Sequence, residues 1–538
     1  MKKWLVMLLT VALFMVMAAC TANKDAGKDS GGDKGKAVEK VLYLNNGVEP
    51  NSFDPSVAFD AVSWNPLNNL MEGLVRLNDK NEPTEAIAEK IDISEDGKEY
   101  TFTLRDANWS NGDKVTANDF VYGWKHMLEA KTASPAAFLA YEIVGAEDFN
   151  MGKGKFEAVG IKAPNDQTLK VTLKAPTEAF LNIITNPSFF PVNEKNAKTN
   201  PKWFAEADTF VGNGPFKLTA WEHDAKMTFE KNDQYWDKDV VKLSKVEWAM
   251  VNDTNTEYQM YKSGELDVSS VPSEMAEQLK DDKELSNMDQ AGVMFFRFNT
   301  DKEPFTNEKV RQAFAMSIDQ QQIVDYVTKT GQKAAHGFVS YGFVGPDGKE
   351  FREEVGDLIT PDTAKAKALL AAGMKEEGWT TLPKITLTYG TSPDNQKIAV
   401  AVQDQLKKAI DVDVKLQNVE PMVFMAESKE NKYQFFRSSF LNDYADPVNA
   451  LESFITDSSM NRTNWSNKEF DKLIAGSKNE SDAAKRWTML QDAEKILIEE
   501  APIVPVHFYN QLSLQKPNIK SIVRHPVGYM DLKWADKE

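Results

Sequence analysis

Cysteine is almost missing from this chain: there is one, Cys20, in 538 residues. A single thiol cannot close an internal disulfide, and cysteine-built zinc or iron–sulfur sites are excluded. Histidine is nearly as scarce. The five are His126, His223, His336, His507 and His525, and none are spaced as metal-ligand pairs. No His-Glu-x-x-His, no Gly-x-Ser-x-Gly and no phosphate-cradling Gly-x-x-x-x-Gly-Lys-Ser/Thr occurs. Positive charge is in deficit, with 63 Lys+Arg against 81 Asp+Glu, a net −18. That balance argues against a dedicated nucleic-acid binder. It names no partner, because moderate negative charge is an ordinary solubility device. Acidic residues are abundant, so Asp/Glu-based hydrolysis stays open to a motif search, with nothing specific in its favour. Apolar residues make up 42%, enough for packed cores, and the length suggests two to four domains.

The amino terminus is the most informative short stretch. Lys2 and Lys3 precede an apolar run of 16 residues, Trp4 to Ala19. This is the layout of a secretory signal, and the run is short of the ~20 residues of a permanent bilayer span. It ends in Met17-Ala18-Ala19-Cys20, which resembles a bacterial lipobox apart from Met17. The expectation is a signal peptide over 1–19, cleavage before Cys20 and lipidation of its thiol. Residues 20–37 hold Lys, Asp, Gly and Ser and no apolar side chain larger than Ala, so they read as a flexible tether.

The body reads as α/β. Val41 to Leu44, Tyr100 to Leu104 and Thr168 to Leu173 read as strands. Thr116-Ala-Asn-Asp119 is a capping box with Asp in place of Glu, before Phe120, Val121, Trp124, Met127 and Leu128 at helical spacing. Helices are expected at Asn307 to Ile318, Asp319 to Thr328 and Pro361 to Ala372, the last stopped by Gly373. Strand Ile385 to Tyr389, helix Asn395 to Ala409, strand Val412 to Leu416, helix Met422 to Lys429 and strand Tyr433 to Arg437 follow. This order implies a sheet flanked by helices. Two more helices, near Lys468 to Ser477 and Asp482 to Glu500, precede an apolar run at Ile503 to Tyr509. Two lobes with a cleft between them follow as the plain expectation, since ligand sites favour such junctions.

Three features invite chemistry and read as structure. Asp92 to Gly97 begins like a calcium loop, but Thr103 stands where the bidentate Glu belongs; it reads as a turn between strands. Gly212-Asn-Gly214 lacks the third glycine of a dinucleotide loop and reads as a strand-entry turn. Trp109, Trp124, Trp236 and Trp465 read as core rather than as a sugar-stacking set.

Several stretches resemble the solute-binding lipoproteins of ABC-type peptide importers, the oligopeptide/dipeptide-binding family. They include Asn45-Asn-Gly-Val-Glu-Pro-Asn-Ser-Phe-Asp-Pro55, Asn108-Trp-Ser-Asn-Gly112, Thr116-Ala-Asn-Asp-Phe-Val-Tyr-Gly-Trp124 and Asn213-Gly-Pro-Phe216. Tyr261-Lys-Ser-Gly-Glu-Leu-Asp267, Pro304-Phe-Thr-Asn307 and Asn442-Asp-Tyr-Ala-Asp-Pro447 continue the match in order. The resemblance implies a two-lobed, periplasmic-binding-protein-like (Venus-flytrap) fold with an extra domain on one lobe. Lobe I would use residues 38–61, 184–291 and 509–538, the extra domain 62–183 and lobe II 292–508.

It also implies a function and a site. The chain would capture oligopeptides outside the membrane and deliver them to an ABC permease, as a lipid-anchored monomer, with no enzyme activity, cofactor, metal or nucleic acid. Asp443 would hold the peptide amine. Arg437 would lie near the carboxylate end or pair across the lobes with Glu49. Tyr122 matches a cleft tyrosine, though core packing is a rival role. Ser438 and Ser439 would offer backbone groups. Phe440 replaces a family Trp as a pocket wall. Asn395 stands where a relative has a carboxylate-binding His, and Pro421 where it has a Trp. Alternatives are a signalling-peptide receptor, a binder of nickel chelate or oligosaccharide, and, in another class, a secreted hydrolase.

Overall fold

The structure is a computed structural model that describes residues 39–538. The signal run, Cys20 and the polar segment to 37 lie outside the described residues. Among the described residues no helix is long and apolar enough to cross a membrane.

Three main sheets organise the chain. The first runs in the order Val41–Asn45, Lys245–Ala249, Lys226–Lys231, Phe216–Glu222. Its alternation is plain, with Leu42 and Leu44 buried and their neighbours half-exposed. The second is antiparallel, in the order Ala88–Ile93, Glu99–Leu104, Thr168–Thr172, Ile161–Asn165. Tyr100, Phe102 and Leu104 face its core, while the Asp92–Gly97 segment turns between the first two strands. Helix Ala117–Leu128 packs on this sheet through Phe120, Trp124, Met127 and Leu128. Its Asp119 carboxylate accepts the Thr116 backbone N–H at 2.8 Å, so the shorter acid does serve the capping box.

The third sheet has seven strands. Along its main path the order is Val268–Ser270, Ile503–Gln515, Leu285–Phe298, Phe435–Leu441, Ile385–Gly390, Val414–Val419, with Lys333–Ala334 beside Ile503–Gln515. Ile385–Gly390 pairs in parallel with both Val414–Val419 and Phe435–Leu441, and helices Pro393–Ile410 and Pro421–Lys429 make the crossovers. This is the β-α-β-α-β order expected from the pattern. Helix Pro393–Ile410 buries Ile398, Ala399, Val402, Leu406 and Ile410, one face at helical spacing.

Two long antiparallel strands, Leu285–Phe298 and Ile503–Gln515, form the spine of this sheet. Their register shifts between the Asp289↔Asn510 and Val293↔Phe508 pairs. Such an irregularity bends a ladder and loosens its pairing locally. The C-terminal segment beyond the spine returns to helix Ala61–Leu70. There Met530 and Leu532 donate their amides to Asn65 Oδ1 and Asn69 Oδ1 at 2.9 and 2.8 Å.

Several elements depart from the sequence expectation. Gly373 does not stop its helix, which runs Thr363–Glu376. A Cβ there would meet Asn307 Oδ1 at 2.7 Å and Val310 Cγ2 at 2.9 Å, so the glycine serves close approach to helix Glu308–Ala315. The expected helix over 319–328 is α only at Gln320–Ile323 and widens into a π turn at Val324–Thr328. The strand expected to end at Arg437 begins at Phe435 and continues to Leu441. Two serines interrupt its apolar alternation, which hid the continuation. Gly212 and Gly214 do precede a strand, and a Cβ on Gly214 would meet Leu70 C at 2.6 Å. Trp109, Trp124 and Trp465 are buried, and Trp236 is half-buried.

Candidate functional site

Strand Phe435–Leu441 has two unlike edges. One edge pairs with Gly292–Phe298 along its whole length. On the other edge Ile385–Gly390 pairs only at Leu387↔Phe435 and Thr388↔Phe436. Among the described residues that edge has no strand partner beyond Phe436, so Arg437 to Leu441 present backbone groups without a ladder there. An open edge of this kind is a template for an added strand.

A cavity of about 380 Å³ lies beside that edge. Its walls include Asn395, Arg437, Ser438, Ser439 and Arg462, with Pro421, Phe424 and Met425 on the apolar side. Four of the eight expected ligand residues thus meet in one place. Arg437 donates through Nη1 to Ser439 Oγ at 3.1 Å and through Nη2 to Tyr509 Oη at 2.8 Å. Asn395 sits in the first turn of helix Pro393–Ile410 and gives its Nδ2 to the Gly390 carbonyl at 2.8 Å. It holds the strand end to the helix start.

Asp443 follows just past the strand. Its amide donates to Asn449 Oδ1 at 2.8 Å, and its carbonyl accepts Asn186 Nδ2 at 3.1 Å and Tyr529 Oη at 3.0 Å. These bonds pin the backbone from three segments and leave the carboxylate to act. The helix Pro447–Leu451 is capped by Asp446, not Asp443: Asp446 Oδ1 accepts the Val448 amide at 2.9 Å and also meets Arg486 at 2.8 Å. Asp443 has no cation partner among the described residues. Burial pushes its carboxyl up to about 6, with Glu452 adding to the rise and Asn449 opposing it. A desolvated carboxylate with no cation of its own favours a positive group beside it.

The remaining expected residues stand elsewhere. Glu49 does not pair with Arg437 in this structure. Its Oε1 accepts His223 Nδ1 at 2.7 Å and its Oε2 accepts the Asp224 amide at 2.9 Å. Both donors sit in the turn between strands Phe216–Glu222 and Lys226–Lys231. Tyr122 lines a different cavity, about 720 Å³, whose walls all come from residues 54–204. Phe440 is 8% exposed and packs on Phe338 with ring centres 6.1 Å apart, so it is core more than wall. Sequence reasoning missed Arg462, Ser428, Tyr509 and the underlying Arg297. No motif marks Arg462, which lies between Asn461 and Thr463 in an irregular segment. Among the described residues no cluster of His, Cys, Asp and Glu is placed to hold a metal ion.

The model for bacterial extracellular solute-binding proteins, family 5 (middle region), matches residues 82–462. The chain belongs to this family. It is 57% identical to the dipeptide-binding protein DppE of Bacillus subtilis, over 100% of this chain and 99% of the relative. It is 41% identical to the oligopeptide-binding protein OppA of the same organism, over 98% of each. Among solved structures it resembles Listeria monocytogenes OppA bound to peptide, with TM-score 0.75, 34% identity, and coverage of 93% of this chain and 99% of that one. The fold is the two-lobed α/β architecture of this family's peptide-binding members.

Proposed function

We propose that this chain is the extracellular, membrane-anchored component of an ABC-type importer that captures short peptides. The observation that carries this is the pairing of an open strand edge with opposite charges at its two ends. Asp443 stands past one end as an unpaired carboxylate, and Arg437 stands at the other. Main-chain hydrogen bonds to residues 437–441 ignore side-chain identity, which suits a carrier of many peptides. The backbone from Arg437 to Asp443 spans six residues, about 20 Å at ~3.3 Å per residue, and the Arg437 guanidinium reaches back toward Ser439 and Tyr509, so the charges stand closer than that, at the spacing of a short peptide. Ser438 and Ser439 supply part of that edge. Asn395 shapes the carboxylate end; Phe440 supports the strand from behind. Glu49 of the first lobe and Tyr122 of the extra domain approach the ligand through movement of those domains.

The register shift in the two long strands is the hinge in this reading, and it coincides with the expected boundaries at 291/292 and 508/509. Closure follows because the ligand bridges both lobes and so binds the closed state better. No covalent chemistry is required. The signal at 1–19, a lipid on Cys20 and the tether at 20–37 would keep a monomeric body beside its permease. Changing Cys20 to Ser should release the protein from the membrane fraction. Mass spectrometry of ligand co-purified with the protein tests the whole reading: peptides are expected, and a sugar or metal chelate in their place would overturn it.

A further inference from the structure

The pocket holds more positive charge than one peptide terminus can neutralise. Arg437 and Arg462 both line it, and no Asp or Glu does. Behind it Arg297 is 2% exposed, with its Nε on Ser438 Oγ at 3.0 Å and its Nη1 on the Met460 carbonyl at 2.9 Å. Among the described residues Arg462 donates to Ser428 Oγ, at 3.4 Å. None of these three arginines has a carboxylate partner among the described residues, and the Nε of Arg437 and of Arg462 are buried with no hydrogen-bond partner. Burial pushes Arg297 down to about 9, and the charge of Arg462 adds to the fall. Guanidinium groups crowded in this way want anions, and a carboxylate meets a guanidinium best through two parallel N–H···O bonds.

We infer that this pocket takes a peptide end bearing two carboxylates, a C-terminal Glu or Asp residue. Arg437 takes one carboxylate and Arg462 the other. The ligand class is therefore acidic peptides, a narrower set than peptides at large. The apolar wall fits the same guest, because Pro421, Phe424 and Met425 can cover the methylenes between its two charges. Met422 and Met425 of that helix are 70% and 50% exposed, and methionine adapts to guests of differing shape. This inference rests on the peptide reading of the site.

Titration calorimetry with Ala-Ala-Glu and Ala-Ala-Gln, and with the same pair one residue shorter and longer, tests it at pH 7.5. At the best length the Glu peptide should bind at least about tenfold tighter than its Gln partner. Arg462→Gln should bring that ratio below about threefold, and Arg462→Lys should keep part of it. Equal, measurable binding of Glu and Gln peptides would overturn this inference and leave the peptide reading standing. A large ratio that survives Arg462→Gln would overturn the role of Arg462. Failure of every peptide to bind would overturn both readings.

Discussion

Arg352 and Arg462 carry the same group into two different settings. Arg352 is 4% exposed, and its Nη1 meets Glu494 Oε1 at 2.6 Å. That oxygen also accepts the Phe338 and Val339 amides, each at 2.7 Å. Arg76 is held in the same manner between Glu72, at 2.5 Å, and Asp531. Arg486 has Asp446 at 2.8 Å. Arg462 and Arg437 line one cavity, Arg297 lies behind it on Ser438, and none of the three has an acid partner among the described residues. Arg297 is buried while Arg437 and Arg462 are half-exposed, so the cost of standing without an acid falls mainly on Arg297. Asp443 is the matching case of opposite sign. Buried Arg311 also lacks an acid but spends its donors on the Phe305 and Glu500 carbonyls, whereas Nε of Arg437 and of Arg462 has no hydrogen-bond partner among the described residues.

Substitutions can break this contrast, and the largest effect belongs to the paired set. Glu494→Gln keeps the shape and leaves Arg352 unpaired. It should cost about 3–5 kcal/mol of folding stability in urea unfolding, with peptide affinity unchanged in the folded fraction. Asp443→Ala should show the reverse. Peptide affinity should fall by about 2–5 kcal/mol in calorimetry, while the unfolding midpoint holds or rises.

A pH profile sharpens the second case. The Asp443 carboxyl is raised to about 6, above its ordinary range. Its protonated form is therefore favoured in the ligand-free fold, and its contribution to stability falls as pH rises toward 6. Peptide affinity should run the other way and drop as pH falls through 6, because a protonated carboxyl no longer attracts the amine. Asp443→Asn should flatten the profile between pH 5 and 7. The smallest effect is Arg462→Gln on stability. Arg462 is half-exposed and makes one long hydrogen bond, so unfolding should shift by under about 0.5 kcal/mol.

The contrast also explains what the sequence could and could not reveal. Elements with regular spacing were readable: the buried face of helix Pro393–Ile410, the capping Asp119 and the turn at Asp92–Gly97 all follow local rules. The strand at 435–441 was half-readable, because Arg437, Ser438 and Ser439 break its apolar alternation where the free edge lies. Gly373 misled, since a glycine admitting a neighbouring helix looks in sequence like one ending its own. The motif around Asp443 singles it out in sequence, and the structure shows that Asp446, not Asp443, caps the helix. The Glu49–Arg437 pair is expected only on closure of the lobes, and in this structure Glu49 is held by His223, 174 residues away in sequence. Arg462 had no local signal at all. Its meaning comes from distant segments meeting around one cavity.

In the proposed site the Asp443 carboxylate and the arginines without an acid partner receive the two charged ends of one peptide. Blocking those ends separately is the direct test. Calorimetry should compare one co-purified peptide in its free, N-acetylated and C-amidated forms. The account predicts that either block weakens binding by at least about 30-fold, and that acetylation adds little further loss in Asp443→Ala. Equal affinity of the free and blocked peptides would contradict it.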